Sequence, residues 1–190
     1  MKNFILALVL VFLSVACSSA INKFDQVEEG IYRGASIEKE QDYADLAAAG
    51  IDVVINLKTS SDNKTLCEKY KLDCRDFGIT LYPVPYSDYF FNYNTLKEAF
   101  KTVIKEHAAG KTVFFHCYAG RDRTGALASA IKLRYEACNT TYDKEKMKKE
   151  LTATLQKFGF MTWVYPFLYS NILSWADNLP EWICAPVVLQ

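Results

Sequence analysis

This chain contains few histidines, and its formal net charge is zero. Only two of the 190 residues are histidines, and none of the six cysteines forms a Cys-x2-Cys pair. This composition argues against a zinc site, so we expect neither a metal nor a cofactor. Lysine plus arginine equals aspartate plus glutamate at 22 each. The chain as a whole therefore has no attraction for nucleic acid or for an acidic membrane surface, and any affinity for an anion must be local.

Long hydrophobic runs are also missing, except at the N-terminus. Residues 4–15 are almost all apolar, follow Lys2 and precede the small residues 16–20, a pattern too short to span a bilayer and typical of an export leader. Cleavage after Ala20 would release a secreted or periplasmic protein, whereas cleavage before Cys17 would resemble bacterial lipoprotein maturation with a lipid anchor. We favour the lipoprotein slightly, although Ser14 makes the lipobox imperfect. Residues 21–190 are then a single domain, expected to be a monomer.

Export would place the cysteines in an oxidising compartment. Cys67 could pair there with Cys74, and Cys138 with Cys184. Buried free thiols explain the same cysteines equally well. The pairing therefore stays open at the level of the sequence.

Strand and helix patterns alternate along the chain. Apolar runs predict strands at 27–34, 51–57, 79–84 and 113–116, and helical spacing predicts helices at 37–49, 62–72, 95–109, from the 116–125 loop to about 138, 142–158 and 163–178. Ser36 and Asn94 are the expected N-caps of the first and third helices. The alternation predicts an α/β fold with a central, mostly parallel sheet of four to five strands flanked by helices.

Residues 116–125 join the last strand to a helix through a glycine-containing loop. Such a junction directs backbone N–H groups and a helix N-terminus at one point, which forms an anion site. Cys117 opens the loop, where these dipoles favour its nucleophilic thiolate. Arg123 closes it, and its planar guanidinium can hold two phosphoryl oxygens at once.

This stretch resembles the His-Cys-x5-Arg-Thr-Gly signature of the protein tyrosine phosphatase superfamily. Residues 31–34, 50–57 and 82–85 are similar, less specifically, to the atypical dual-specificity branch that includes inositol phosphatases, and the resemblance covers residues 25–178. It implies a dual-specificity phosphatase-like fold and metal-independent hydrolysis of phosphomonoesters through a phosphocysteine. A phosphate-binding pseudophosphatase and a rhodanese-like sulfurtransferase are the alternatives.

The resemblance also implies the roles of individual residues. Cys117 is the nucleophile, Arg123 holds the phosphoryl oxygens, and Thr124 helps the sulfur leave or caps the helix. Asp88 lies on a loop 29 residues before Cys117 and is the expected general acid. Two competitors, Asp73 and Asp76, precede the predicted strand 79–84 and so should lie at its wrong end. The expected substrate-binding residues are His116, Tyr118, Ala119, Gly120, Arg121 and Asp122. We expect His116 to orient the loop by hydrogen bonding rather than to transfer a proton.

Arg121 bears on the choice of substrate. Residues 120–125 are similar to the Gly-Lys-Asp-Arg-Thr-Gly of some secreted bacterial lipid-and-tyrosine phosphatases. A second cation beside the pocket can bind another phosphate on a polyphosphorylated ring, although Arg121 could also point outward or pair with a carboxylate. We therefore expect inositol polyphosphates or phosphoinositides as substrates, with phosphotyrosine proteins second.

Overall fold

A five-stranded sheet forms the centre of the molecule. The computed structural model describes residues 21–81, 91–138 and 141–187. Its strands are β1 (Asp25–Glu28), β2 (Ile31–Gly34), β3 (Val53–Asn56), β4 (Asp73–Asp76) and β5 (Val113–His116). They lie in the order β1-β2-β5-β3-β4, and every neighbouring pair is parallel except β1 with β2. The predicted α/β fold with a mostly parallel sheet is confirmed.

Helices cover both faces of this sheet. They are α1 (Glu40–Ala48), α2 (Lys64–Lys69), α3 (Tyr93–Ala108), α4 (Asp122–Ala137), α5 (Lys144–Lys157), α6 (Pro166–Ser174) and α7 (Glu181–Cys184). Alternate side chains of β3 point to opposite faces, so Val53 and Ile55 join the large cluster under α3–α7, whereas Val54 joins the smaller one under α1 and α2. β3 and β5 are consequently buried on both faces.

The strand register brings three strand ends together. His116, the last residue of β5, lies opposite Gly34 at the end of β2 and opposite Asn56 at the end of β3. The loop that follows β5 therefore emerges where three parallel strands end, which is the edge at which α/β sheets bind ligands.

The third predicted strand, at 79–84, is not found in its described part. The strand beside β3 is β4, at Asp73–Asp76, and residues 79–81 belong to no strand, while 82–84 lie outside the described residues. β4 pairs with β3 alone and is only partly buried. Its sequence is therefore mostly polar, as suits an edge strand, and the search for apolar runs missed it.

Other predicted boundaries also differ from the structure. Residues 27–34 contain a hairpin, which turns at Gly30 with a φ of 73°. Ser36 does not cap α1, because the Asp42 carboxylate accepts from the N–H of Glu38 and of Lys39, at 2.8 Å each. The helix therefore begins later than predicted.

The N-cap of α3 lies earlier in the chain than predicted. The side chain of Asn92, rather than that of Asn94, accepts from the N–H of Thr95 at 3.1 Å. α3 therefore begins at Tyr93, two residues before the predicted start. Both differences concern which of several nearby polar side chains reaches the first free N–H groups of the helix.

Both pairs of cysteines form disulfides. Cys67–Cys74 joins α2 to β4, and Cys138–Cys184 joins the end of α4 to α7. The alternative of buried free thiols is thus wrong for these four residues. Cys117 is buried and free.

The apolar C-terminal segment packs against the domain. The ring of Trp182 contacts Phe100 and Trp175 edge to face, with centroids 5.0 and 5.7 Å apart. Arg134 on α4 donates to the carbonyls of Ile183 and Ala185 at 2.8 and 2.7 Å.

Among the described helices, none combines the length and the hydropathy needed to span a membrane.

The two disulfides should differ in their effect on stability. Cys138–Cys184 spans 46 residues and Cys67–Cys74 spans 7, and a longer closed loop removes more entropy from the unfolded chain. Replacing both cysteines of a pair by alanine should lower the free energy of unfolding by about 4 kcal/mol for the first and about 2.5 kcal/mol for the second. Urea unfolding measures both, and equal losses would contradict the assignment.

Candidate active site

The loop between β5 and α4 is packed tightly against the end of β2. Gly120 has a φ of +61°, and a Cβ added to it would lie 2.8 Å from the backbone of Gly34 and Ala35. No larger side chain fits there without moving the main chain. The carbonyl of Tyr118 accepts from the N–H of Ser36 at 3.2 Å, so the loop is held to β2 at two points.

Cys117 and Arg123 stand at the two ends of this loop. Cys117 is 3% exposed. Nη1 of Arg123 donates to the carbonyls of Leu57 and Ile79, at 3.3 and 3.2 Å, which fixes the orientation of the guanidinium. The structure thus ties Arg123 to the segments that follow β3 and β4.

Tyr165 precedes α6 and packs against the large hydrophobic cluster. Burial raises the pKa of its hydroxyl, and the charges of Asp122, Arg123, Arg121 and Cys117 also act on it. Sequence reasoning gave this residue no role.

Thr124 is fully buried in the first turn of α4. Its hydroxyl has no hydrogen-bond partner among the described residues. The N-cap of α4 is Arg121, and no side chain forms a cap bond there, so the capping role of Thr124 is wrong and its role towards the sulfur stays a prediction.

His116 is part of a buried charged cluster beneath the loop. Its Nε2 lies 2.8 Å from Oδ2 of Asp62, and Oδ1 of Asp62 lies 3.3 Å from Nζ of Lys58. The side chains of His116 and Asp62 are completely buried. An ionised carboxylate only accepts hydrogen bonds, so it fixes the imidazole tautomer and ring orientation. This contact agrees with an orienting role for His116.

Sequence reasoning also missed Asp62. It treated this residue as the start of the second helix, which instead begins at Lys64 with Asn63 as its N-cap. Asp62 lies 54 residues from His116 in the chain. Only the pairing of β3 with β5 brings the two together, so no local pattern could have found the contact.

Asp122 has a structural contact. Its carboxylate, which is 6% exposed, accepts from the N–H of Met161 at 2.8 Å. Burial raises the pKa of this carboxyl despite that bond. Asp122 thus holds the turn after α5 against the start of α4.

Two other residues of the loop differ in exposure: Tyr118 is 71% exposed and Ala119 is half-buried.

A buried arginine supports the loop from below. Arg33 at β2 is 1% exposed, and its Nη2 donates to the carbonyl of Gly120 at 2.7 Å. Its guanidinium lies 3.8 Å from the centroid of the Phe158 ring. Burial lowers the pKa of Arg33 to about 10, while the charges of Cys117 and Asp25 raise it. Arg33 therefore places positive charge directly behind the loop.

A further cation comes from the segment before β1. Nζ of Lys23 donates to the carbonyl of Phe158 at 2.7 Å. Burial and the positive charges of Arg121 and Arg33 lower the pKa of Lys23, whereas Asp122 and Cys117 raise it. Lys23 and Arg121 thus belong to one group of like charges around the loop.

The predicted general acid, Asp88, lies outside the described residues. The reason for setting Asp76 aside was wrong, because Asp76 ends β4 and so lies at the same edge of the sheet as the loop. Burial would raise the pKa of Asp76, but bonds from Lys64 and Asn56 leave it lowered.

The other competitor is unsuited for a similar reason. Asp73 forms an ion pair with Arg75 at 2.5 Å, which lowers the pKa of Asp73. A general acid needs its pKa shifted upward, towards the working pH. Neither carboxyl therefore has the environment of a proton donor.

Among the residues that the structure describes, no group of three or more metal-ligating side chains is found.

Residues 29–137 match a family model described as "Polymorphic toxin system, DSP-PTPase phosphatase". This match covers the sheet from β2 to β5, the loop and α4. A search of curated proteins finds no match.

Solved structures share the fold. The core catalytic domain of the PP-IP phosphatase Siw14 from S. cerevisiae, solved with citrate, is 16% identical, with a TM-score of 0.59 over 85% of this chain and 87% of that one. TpbA of P. aeruginosa, solved in complex with phosphotyrosine, is 15% identical, with a TM-score of 0.52 over 82% and 91%. At these identities the likeness establishes the fold.

Replacing Arg33 by methionine should separate activity from stability. Methionine keeps the volume but removes the donor to Gly120 and the buried charge, so we expect kcat/KM for 4-nitrophenyl phosphate to fall about tenfold. The melting temperature should hold or rise, because a buried guanidinium is expensive to desolvate. Arg134→Met is the matched control, since Arg134 also donates to main-chain carbonyls, those of Ile183 and Ala185, but far along α4. It should lower the melting temperature and leave kcat/KM unchanged; the same pattern in both variants would contradict the role of Arg33.

Proposed function

The chain belongs to the DSP-PTPase phosphatase family of polymorphic toxin systems and is a cysteine-dependent phosphoric monoester hydrolase, and we propose that its substrates are inositol polyphosphates or phosphoinositides. The observation that carries this proposal is the excess of positive charge at the loop. Lys23, Arg33 and Arg121 add three cations to Arg123, and Asp122, the one carboxyl of the loop, is buried and bound to the main chain. A substrate with several phosphates matches this field better than one with a single phosphate.

The first chemical step transfers the phosphoryl group to sulfur. The Cys117 thiolate attacks phosphorus, the S–P bond forms, and the bond from phosphorus to the ester oxygen breaks. Arg123 and the N–H groups of residues 118–123 hold the equatorial oxygens while charge spreads over them. The departing alkoxide receives a proton from a general acid.

The second step hydrolyses the phosphocysteine. Water attacks phosphorus, the S–P bond breaks, and the thiolate is restored as inorganic phosphate leaves. The hydroxyl of Thr124, which is buried without a partner among the described residues, is the proposed donor to the departing sulfur. A hydrogen bond to the sulfur lowers the barrier because negative charge returns to it in this step.

Residues below the loop hold it in shape for both steps. Asp62 orients His116, which precedes the nucleophile, and Arg33 holds the carbonyl of Gly120. If that carbonyl is held towards β2, the N–H groups of the loop are left to face the phosphate. These residues position the loop and do not touch substrate.

Asp88 remains our proposed general acid. In the sequence it follows β4, the strand that ends at the same edge of the sheet as the loop. Of the described carboxyls considered for this role, Asp73 and Asp76 have lowered pKa values. Asp122 has a raised pKa, but its carboxylate is bound to the main chain of Met161.

Phosphotyrosine in proteins is the second candidate substrate. The side chain of Tyr118 is 71% exposed in the loop itself, and an aromatic ring there can stack on a phenyl phosphate. TpbA, which shares the fold, was solved with phosphotyrosine, whereas Siw14 is a PP-IP phosphatase. The positive charge of the site ranks inositol phosphates first.

We propose that the enzyme is exported. Two disulfides in a chain of this size are typical of an oxidising compartment, and residues 1–20 have the pattern of a leader. Lipidation of Cys17 would anchor the domain to a membrane, whereas cleavage after Ala20 would release it.

Asp88→Asn should remove the requirement for a protonated acid. We expect the fall in kcat/KM at high pH to disappear, and the rate on phenyl phosphate to drop about a hundredfold. 4-Nitrophenyl phosphate should lose much less, because its leaving group needs little protonation. Asp45→Asn, on the outer side of α1, is the control and should keep the wild-type profile; an unchanged profile in Asp88→Asn would contradict the assignment.

A substrate panel tests the ranking of substrates. We expect kcat/KM to be higher for inositol hexakisphosphate or a vesicle-borne phosphoinositide than for a phosphotyrosine peptide, with Cys117→Ser as the inactive background. Arg121→Gln should reduce kcat/KM about tenfold for the inositol substrate, because a charged hydrogen bond is lost, and less for the peptide. Preference for the peptide over every inositol substrate would reject the proposal.

A further inference from the structure

The segment that carries Lys23 is built into the wall of the site. Ile21 is 5% exposed and packs against Gly34, where an added Cβ would meet its Cγ2 at 3.1 Å. The carbonyl of Asn22 accepts from the N–H of Ala35 at 2.8 Å. Lys23 itself has a φ of 58°, which a non-glycine residue adopts only where its surroundings impose it. The position of its side chain is therefore defined by the fold.

Lys23 and Arg121 meet at one glycine. A Cβ added to Gly159 would lie 3.6 Å from Cδ of Arg121 and 3.8 Å from Nζ of Lys23. Gly159 follows Phe158, whose carbonyl accepts from Lys23. Two cations that are far apart in the chain therefore flank the same small residue, and one of them, Arg121, belongs to the loop that carries Cys117.

Neither cation of this pair forms an ion pair with a carboxylate in the described part of the chain. Within the described ranges no carboxylate oxygen comes within ion-pair distance of Lys23 or Arg121. Burial, and after it repulsion by Arg121 and Arg33, lowers the pKa of Lys23, although the charges of Asp122 and Cys117 act in the opposite direction. Most other lysines that pack on this domain have a carboxylate partner, for example Lys157 with Asp25 at 2.8 Å. Like charges held together in this way suit an anionic ligand.

We propose that Lys23 and Arg121 together bind a second phosphate group of the substrate, next to the phosphate that Cys117 attacks. Arg121 can supply a planar pair of donors and Lys23 a compact charge with two further N–H groups besides the one given to Phe158. The ligand class is a small molecule with phosphates on neighbouring ring carbons. This inference rests on the proposed function and names the residues that distinguish a polyphosphate from a monophosphate.

A purely structural role for Lys23 makes a different prediction. If Lys23 only holds the carbonyl of Phe158, glutamine should replace it, because the side-chain amide is also a donor. If Lys23 binds phosphate, the same substitution removes the charge and weakens binding. Lys23→Gln therefore separates the two roles, and Lys23→Arg should restore binding.

The experiment measures binding in the full chain with Cys117→Ser, which prevents turnover. Calorimetry with inositol hexakisphosphate should show a Kd about tenfold higher in Lys23→Gln, with a much smaller change for inorganic phosphate. Because both cations bind one phosphate, Lys23→Gln with Arg121→Gln should raise the Kd less than the product of the single effects. Lys157→Gln, whose ammonium lies 4.9 Å from the Phe158 ring, is the matched control and should bind as the parent does.

Each other outcome overturns the inference. An unchanged Kd in Lys23→Gln would show that Lys23 only supports the turn, and independent effects of the two substitutions would show that they hold different groups. Failure of the parent to bind inositol hexakisphosphate would remove the subsite altogether. The proposed function is judged separately, by turnover of the same compound by the enzyme with Cys117 intact, so the two failures are distinguishable.

Discussion

The close approach of Gly120 to the backbone of Gly34 is the contact on which the site depends. A Cβ at Gly120 would lie 2.8 Å from main-chain atoms at the end of β2, so the loop can reach this position only because residue 120 is glycine. The parallel register of β2, β5 and β3 fixes where the strands end. The loop is thereby attached to the most buried part of the sheet, and its N–H groups have one orientation rather than many.

Charge is buried around this contact in two places. On the α1 and α2 side, His116, Asp62 and Lys58 form a cluster that includes both signs of charge. On the other side, Arg33 is buried against Phe158 and donates to Gly120. Buried ions are destabilising unless they are paired, and Arg33 has no carboxylate partner among the described residues. A loop that binds a phosphate group gains from that positive charge, which gives a functional reason for its position.

Local patterns in the sequence predicted the parts of the fold that depend on local physics. The bounds of β5 were predicted correctly, since four apolar or aromatic residues before a loop are sufficient evidence of a buried strand. The helix after the loop and the alternation of strands and helices were also predicted. Helix caps were misplaced by a few residues, because Asp42 and Asn92 compete with nearby polar side chains for the same N–H groups. β4 was missed because an edge strand needs little hydrophobicity.

The sequence by itself determined the chemistry: the spacing of Cys117, Gly120 and Arg123 within one strand-loop-helix unit is sufficient to indicate phosphoryl transfer to sulfur. The tertiary structure decided the surroundings of that loop. Asp62 lies 54 residues from His116, Arg33 lies 87 residues from Gly120, and Lys23 lies 135 residues from Phe158. Such contacts arise from sheet order and from the path of the N-terminal segment, which no local pattern encodes. The reaction can therefore be inferred from ten consecutive residues, whereas the group of cations around the loop exists only in the folded domain.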